Sequence, residues 1–207
     1  MQKILTLLTL LVSTSLMAQD AMKVLDIAAE RIQNAGNIKI EYKVGLFSGT
    51  TETSSASGTM WLQSNRMKLE AEGVTTWYDG KTRWCYAPEV NEVSIDEPSR
   101  KEMAAMNPYT FMGIYKKGFK MSVKETVLRG EAIYEVYLKA RYAKMDVKEV
   151  YVDIRKSDYQ PLCIRVREST EWQRVSILSF KGNLSLDDSF FAFPQSSYPN
   201  VLINDMR

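Results

Sequence analysis

The sequence predicts a mainly β protein: a strongly curved antiparallel sheet, or unclosed β-barrel, covered by a helical lid. Three observations predict it. Short segments with period-two alternation recur at hairpin spacing, about ten of them. An amphipathic helical stretch, Asp20 to Gly36, comes before the first. An apolar segment broken at Pro108, Glu97 to Gly118, interrupts the strand pattern midway.

The chain opens with Met1-Gln2-Lys3, an apolar run from Ile4 to Val12, and small or polar residues through Ala18. A basic start, an apolar centre and a small-residue exit predict a secretory signal peptide over 1–18, cut after Ala18. The run is too short to span a membrane, which takes about 20 apolar residues. No cysteine lies near the cut, so a lipid anchor there is not expected. Residues 19–207 are expected to form one exported domain.

In Asp20 to Gly36, Val24, Leu25, Ala28, Ala29 and Ile32 recur at helical spacing, with Ile27 at the edge of the stripe. Asp20 suits an N-cap and Asn34-Ala35-Gly36 a stop. Ile38, Ile40, Tyr42, Val44 and Leu46 then alternate with polar residues or glycine, which predicts a long strand with one apolar face. Ser48 to Ser57 is rich in Ser, Thr and Gly and is expected to be a turn or loop. Gly58 to Leu62 resumes a strand, with Met60 and Leu62 on one face and Trp61 on the other. Met67, Leu69 and Ala71 alternate with Lys68, Glu70 and Glu72 in the next.

Trp77 to Pro88 carries an Asp79-Gly80 pair between aromatic flanks. That pair predicts a two-residue type I′ hairpin turn, because both positions tolerate positive φ. Trp84 and Tyr86 share one face, with Arg83 and Cys85 on the other. Further strands are expected at Val93–Ile95, Phe119–Val123, Ala132–Leu138, Val147–Ile154, Leu162–Val166 and Trp172–Phe180. Leu186 to Phe193 is a short turn or helix whose Phe190, Phe191 and Phe193 can plug the sheet. Tyr198 to Ile203 can add a last strand.

Composition removes several classes of chemistry. Lys and Arg number 27 against 25 Asp and Glu, a balance that argues against nucleic acid. Histidine is absent, which removes the commonest general base and metal ligand. No nucleophile elbow or phosphate-cradling glycine loop occurs. The Asp187-Asp188 pair reads as a cap for the Phe190 segment rather than an acid–base dyad. No catalytic residue, metal or cofactor is therefore expected. Cys85 and Cys163 are either two separate small side chains or a disulfide, and sequence does not fix their distance. Eleven methionines are many for this length. They serve either as core fillers or as an adaptable lining for variable apolar ligands. A broken, glycine-hinged apolar segment over a barrel mouth favours the second.

The order of short motifs resembles the LolA family of periplasmic outer-membrane lipoprotein carriers. These motifs are the N-terminal helix and long strand, Ser57-Gly58-Thr59-Met60-Trp61-Leu62 and Asn65-Arg66-Met67-Lys68-Leu69-Glu70. Asp79-Gly80-Lys81-Thr82 follows with Trp84, Tyr86 and Pro88, then Asn107-Pro108 and Phe191-Ala192-Phe193-Pro194. The resemblance implies an unclosed β-barrel with a helical lid around a hydrophobic cavity. It implies a carrier, monomeric, that takes acylated lipoproteins from an inner-membrane LolCDE-type ABC transporter and hands them to an outer-membrane lipoprotein receptor. No bond is made or broken. Each acyl methylene shielded from water contributes about 0.8 kcal/mol, so the chains need a carrier to cross an aqueous space. By the resemblance and the alternation, the cavity lining is Met60, Leu62, Met67, Leu69, Trp84 and Tyr86 from strands, with Phe111, Met112 and Ile114 from the lid. Cys85 is expected to face away from it. Members of the family carry an Arg-Pro pair before the third strand; here that stretch reads Gln63-Ser64-Asn65, and the lid-latching role of that arginine is not carried over. An alternative use of the same scaffold is an envelope regulator that senses lipids or lipoproteins.

Overall fold

Twelve strands and an N-terminal helix make up most of the described residues. A computed structural model describes residues 20–99, 102–103, 106 and 115–207. The strands are β1 (Ile38–Ser48), β2 (Thr51–Gln63), β3 (Arg66–Ala71), β4 (Val74–Tyr78), β5 (Arg83–Ala87) and β6 (Glu92–Asp96). After the middle segment come β7 (Phe119–Leu128), β8 (Glu131–Ala140), β9 (Val147–Arg155), β10 (Pro161–Glu168), β11 (Glu171–Lys181) and β12 (Leu202–Asp205). Helix α1 covers 20–34. The hydrogen-bonded order is β12-β6-β5-β4-β3-β2-β1-β11-β10-β9-β8-β7. The end strands β12 and β7 leave the sheet unclosed, as the sequence predicts. β12, the expected last strand, joins β6 in parallel. Pairing from β2 to β6 and from β7 to β11 is antiparallel.

The chain divides into two compact units. Among the described residues, one holds 20–34, 45–53 and 115–176; the other holds 35–44, 54–99, 102–103, 106 and 177–207.

In the first unit, α1 buries Ala21, Val24, Leu25 and Ala28, the stripe read from the sequence. Arg31 ties it to the β9–β10 connection through Asp158 at 2.9 Å and Gln160 at 3.2 Å. The apolar face of β8–β10 is continuous across strands: Val136 opposes Val152, which opposes Ile164. Leu138, Val150 and Val166 form the next row, and all six side chains are buried. Burying each contributes about 1.5–3 kcal/mol. The other face carries Glu135, Asp153, Arg165 and Arg167.

In the second unit, the β3–β4 loop is the two residues Glu72 and Gly73, both at positive φ (50° and 78°), between the paired Ala71 and Val74. This is type I′ geometry. The expected type I′ turn at Asp79-Gly80 is instead a four-residue loop, because Tyr78 pairs with Arg83. Asp79 Oδ1 accepts from the backbone N–H groups of Lys81 at 2.9 Å and Thr82 at 2.8 Å. A side chain that mimics a backbone turn makes the longer loop stable. The Ser48 to Ser57 loop is also corrected: only Gly49 and Thr50 turn, and Thr51 to Ser57 belong to β2. Their threonines are good strand formers, and an exposed strand end needs backbone pairing rather than apolar side chains.

Candidate functional site

Strand pairing in the second unit sorts the side chains of β2–β6 onto two faces. Directly opposed residues share a face in an antiparallel pair. One row runs Met60, Leu69, Thr76, Cys85 and Ser94; the row beside it runs Leu62, Met67, Tyr78, Arg83 and Asp96. The opposite face carries Trp61, Lys68, Trp77, Trp84 and Ile95, with Thr75, Tyr86 and Val93.

The first face holds an apolar cluster. Met60, Met67 and Tyr78 are buried at its centre, with Tyr42, Leu62, Leu69, Met103 and Met106 packed around them. Four of these eight are methionines, whose unbranched, polarizable side chains re-pack easily. Burial pushes the Tyr42 phenol above its ordinary pKa.

Met103 and Met106 come from the middle segment, where Glu102, Met103 and Met106 are helical. Ser99 starts that helix. Its hydroxyl accepts from the Glu102 N–H at 3.3 Å, and the Glu102 carboxylate accepts from the Ser99 N–H at 2.8 Å and hydroxyl at 2.6 Å. This is a reciprocal capping box. The bonds from Ser99 hold the Glu102 carboxyl below its ordinary pKa. Arg83, on the cluster's face, donates two bonds to Asp96, one of them from Nε at 2.9 Å. Its Nη1 lies 3.9 Å from Met106 Sδ. The Asp96 carboxylate raises the Arg83 pKa, so the guanidinium beside the methionine stays charged.

The opposite face is sealed by the C-terminal segment. The 3-10 turns Asp188–Phe191 and Gln195–Ser197 lead into Tyr198. Phe190 meets Trp61 edge-on at 5.6 Å, and Phe193 meets Trp77 edge-on at 5.4 Å. Tyr198 lies 4.6 Å from the Tyr86 ring. The Lys68 ammonium sits among Trp61, Trp77 and Phe190 at 5.0–5.7 Å from each ring centre. Asp187 occupies the N-cap position without a side-chain capping bond, and Asp188 pairs with Arg66 instead.

The structure therefore brings together Met60, Leu62, Met67 and Leu69. It places Trp84 and Tyr86 on the other face, against the expectation of one shared lining. The same register turns Cys85 toward the methionine face, where it accepts a 3.7 Å hydrogen bond from Thr76. The physical reason is the pairing itself, Thr76 with Cys85 and Trp77 with Trp84; the observed loop is two residues longer than a two-residue turn, and such an even change shifts register without exchanging the faces. Phe111, Met112 and Ile114 lie outside the described residues. Cys85 and Cys163 are both free thiols. Tyr78, Met103 and Met106 join the cluster without having been marked as lining. The capping pattern Ser99-x-x-Glu102 with Met103 and Met106 three apart is the sequence signal that finds the latter two.

The sequence profile described as outer membrane lipoprotein carrier protein LolA matches residues 11–170. The chain belongs to the LolA family. No curated protein sequence matches it. The fold has a solved counterpart. An uncharacterized conserved protein from Thermus thermophilus superposes with a TM-score of 0.58 at 11% identity, over 90% of this chain and 99% of that one. A LolA superfamily protein from Nitrosomonas europaea gives 0.43 at 11% identity, over 84% and 98%. Mycobacterium tuberculosis lipoprotein LppX gives 0.48 at 10% identity, over 82% and 99%. LolA-family membership places the chain among binding and carrier proteins, and the mainly β, unclosed antiparallel sheet is the fold of that family.

Proposed function

We propose that this LolA-family protein is a periplasmic carrier that holds the acyl chains of lipoproteins and moves them from the inner to the outer membrane. One observation carries the reading beyond family membership: Met103 and Met106 of the middle helix lie on the Met60, Met67 and Tyr78 face of the sheet. Acyl chains take the place of these lid methionines when cargo binds. Apolar contact given up by Met103 and Met106 is then offset by apolar contact with the chains, so loading and release stay close in free energy. Met60, Leu62, Met67 and Leu69 contact the chains from the sheet, and Phe111, Met112 and Ile114 contact them from the lid. Residues 1–18 are removed on export, and the cargo is received from a LolCDE-type transporter and passed to an outer-membrane lipoprotein receptor.

The test is a photo-crosslinking amino acid placed in living cells at Leu69 or at Trp84. Crosslinks to acylated lipoprotein from position 69 and none from position 84 are expected, since register puts the two on opposite faces. Native mass spectrometry of the purified protein with a triacylated peptide then reads a one-to-one complex. Absence of both the crosslink and the complex would sink the carrier reading.

A further inference from the structure

Arg165 of β10 and Arg174 of β11 stand directly opposite each other in the antiparallel register. Like charges in that relation destabilise a strand pair. Arg165 is compensated: its Nη2 reaches Glu135 at 2.7 Å and Asp153 at 3.0 Å. Glu135 is shared with Lys124 at 2.8 Å. Arg174 makes no ion pair among the described residues, and its guanidinium lies 4.4 Å over the Phe47 ring. Arg165 Nε is buried without an acceptor.

Both arginines line a cavity of about 310 Å³ in the first unit. Phe47, Tyr151 and Trp172 line it as well, with Gly49 and Thr50. Arg165 lies 4.5 Å over the Tyr151 ring. A guanidinium over a ring face gains a cation–π contact while its N–H groups can still donate to an anion. The cavity thus joins two cations, surplus donors and an apolar wall, a combination that suits small ligands.

We propose that this cavity binds a phosphate ester through Arg174 and Arg165, with the ester's apolar or aromatic substituent against Phe47, Tyr151 and Trp172. A phosphate group has enough oxygens to take donors from both arginines at once, and its charge removes the repulsion between them. A soluble phosphoester and a phospholipid headgroup present this same chemistry. The site lies within one unit and does not depend on the carrier reading.

Titrating the purified protein at low salt with phenyl phosphate, and floating it with phosphatidylcholine vesicles with or without phosphatidylglycerol, separates the two sources. Saturable phenyl phosphate binding that weakens about tenfold or more in Arg174→Ala is expected for a soluble ester. Flotation with phosphatidylglycerol vesicles that Arg174→Ala abolishes, without phenyl phosphate binding, assigns the site to a lipid headgroup. Arg174→Lys keeps the charge but loses the planar fork, and falls between wild type and Arg174→Ala. Failure of both probes, or binding unchanged by Arg174→Ala, overturns the proposal.

Discussion

The Tyr115 hydroxyl donates a 2.5 Å hydrogen bond to the Asp26 carboxylate of α1. Tyr115 is almost fully buried, and Lys116 approaches the same carboxylate at 3.9 Å. This contact fixes the point where the chain leaves the middle segment and enters β7. Replacing Tyr115 with Phe removes a bond to a charged acceptor and should cost about 1.5–3 kcal/mol in chemical denaturation.

The same tyrosine sets an alkaline limit. Burial, with the Asp26 carboxylate beside it, raises the Tyr115 pKa well above the ordinary 10. The contribution of this raised group is fully present below pH 10 and is lost as pH rises above it. Stability measured from pH 8 to 12 should fall above pH 10, and less steeply in Tyr115→Phe. Equal slopes in both proteins would reject the assignment.

The capping box at Ser99 predicts a local effect with an acid limit. Ser99→Ala should speed amide exchange at Glu102 and Met103 several-fold while the thermal midpoint barely moves, because only the helix start frays. The Glu102 pKa is lowered below its ordinary 4.5, so its contribution is present above pH 4.5 and lost as pH falls through the lowered value. The difference from the variant should therefore narrow in strong acid, where the Ser99 hydroxyl's bond from the Glu102 N–H is what remains of the box.

Met67 separates stability from adaptability. It is 3% exposed within the methionine cluster. Met67→Ala should cost about 2–5 kcal/mol by leaving a cavity. Met67→Leu keeps most of the volume and should cost under about 1.5 kcal/mol. If the carrier reading holds, Met67→Leu also narrows the range of acyl chain lengths bound, read by native mass spectrometry with a chain-length series.

Gly80 tests the four-residue loop. Its φ is +105°, and an added Cβ would lie 2.7 Å from Asn65 Nδ2. Gly80→Ala should lower stability by more than about 1 kcal/mol. A neutral result would mean that the loop readily adopts another turn.

By itself the sequence determined the elements: the amphipathic stripe of α1, the period-two strands, the paired faces of Met60 with Leu62 and of Trp84 with Tyr86, and the phenylalanines of the C-terminal segment. Each of these follows from local spacing, since a helix repeats every 3.6 residues and a strand every 2. Only the tertiary structure decided which face of one strand joins which face of the next. Pairing from β2 through β5 puts Cys85 with Met60, and Trp84 and Tyr86 with Trp61 and Trp77. Loop length sets register, and the two residues by which the Asp79–Thr82 loop exceeds a two-residue turn change which residues pair while leaving each side chain on its face. Asp79-Gly80 suits a two-residue turn locally, but the Asp79 carboxylate satisfies two further backbone donors and stabilises the longer loop. The opposition of Arg165 and Arg174 arises in the same way, from the pairing of β10 with β11, which neither segment specifies alone.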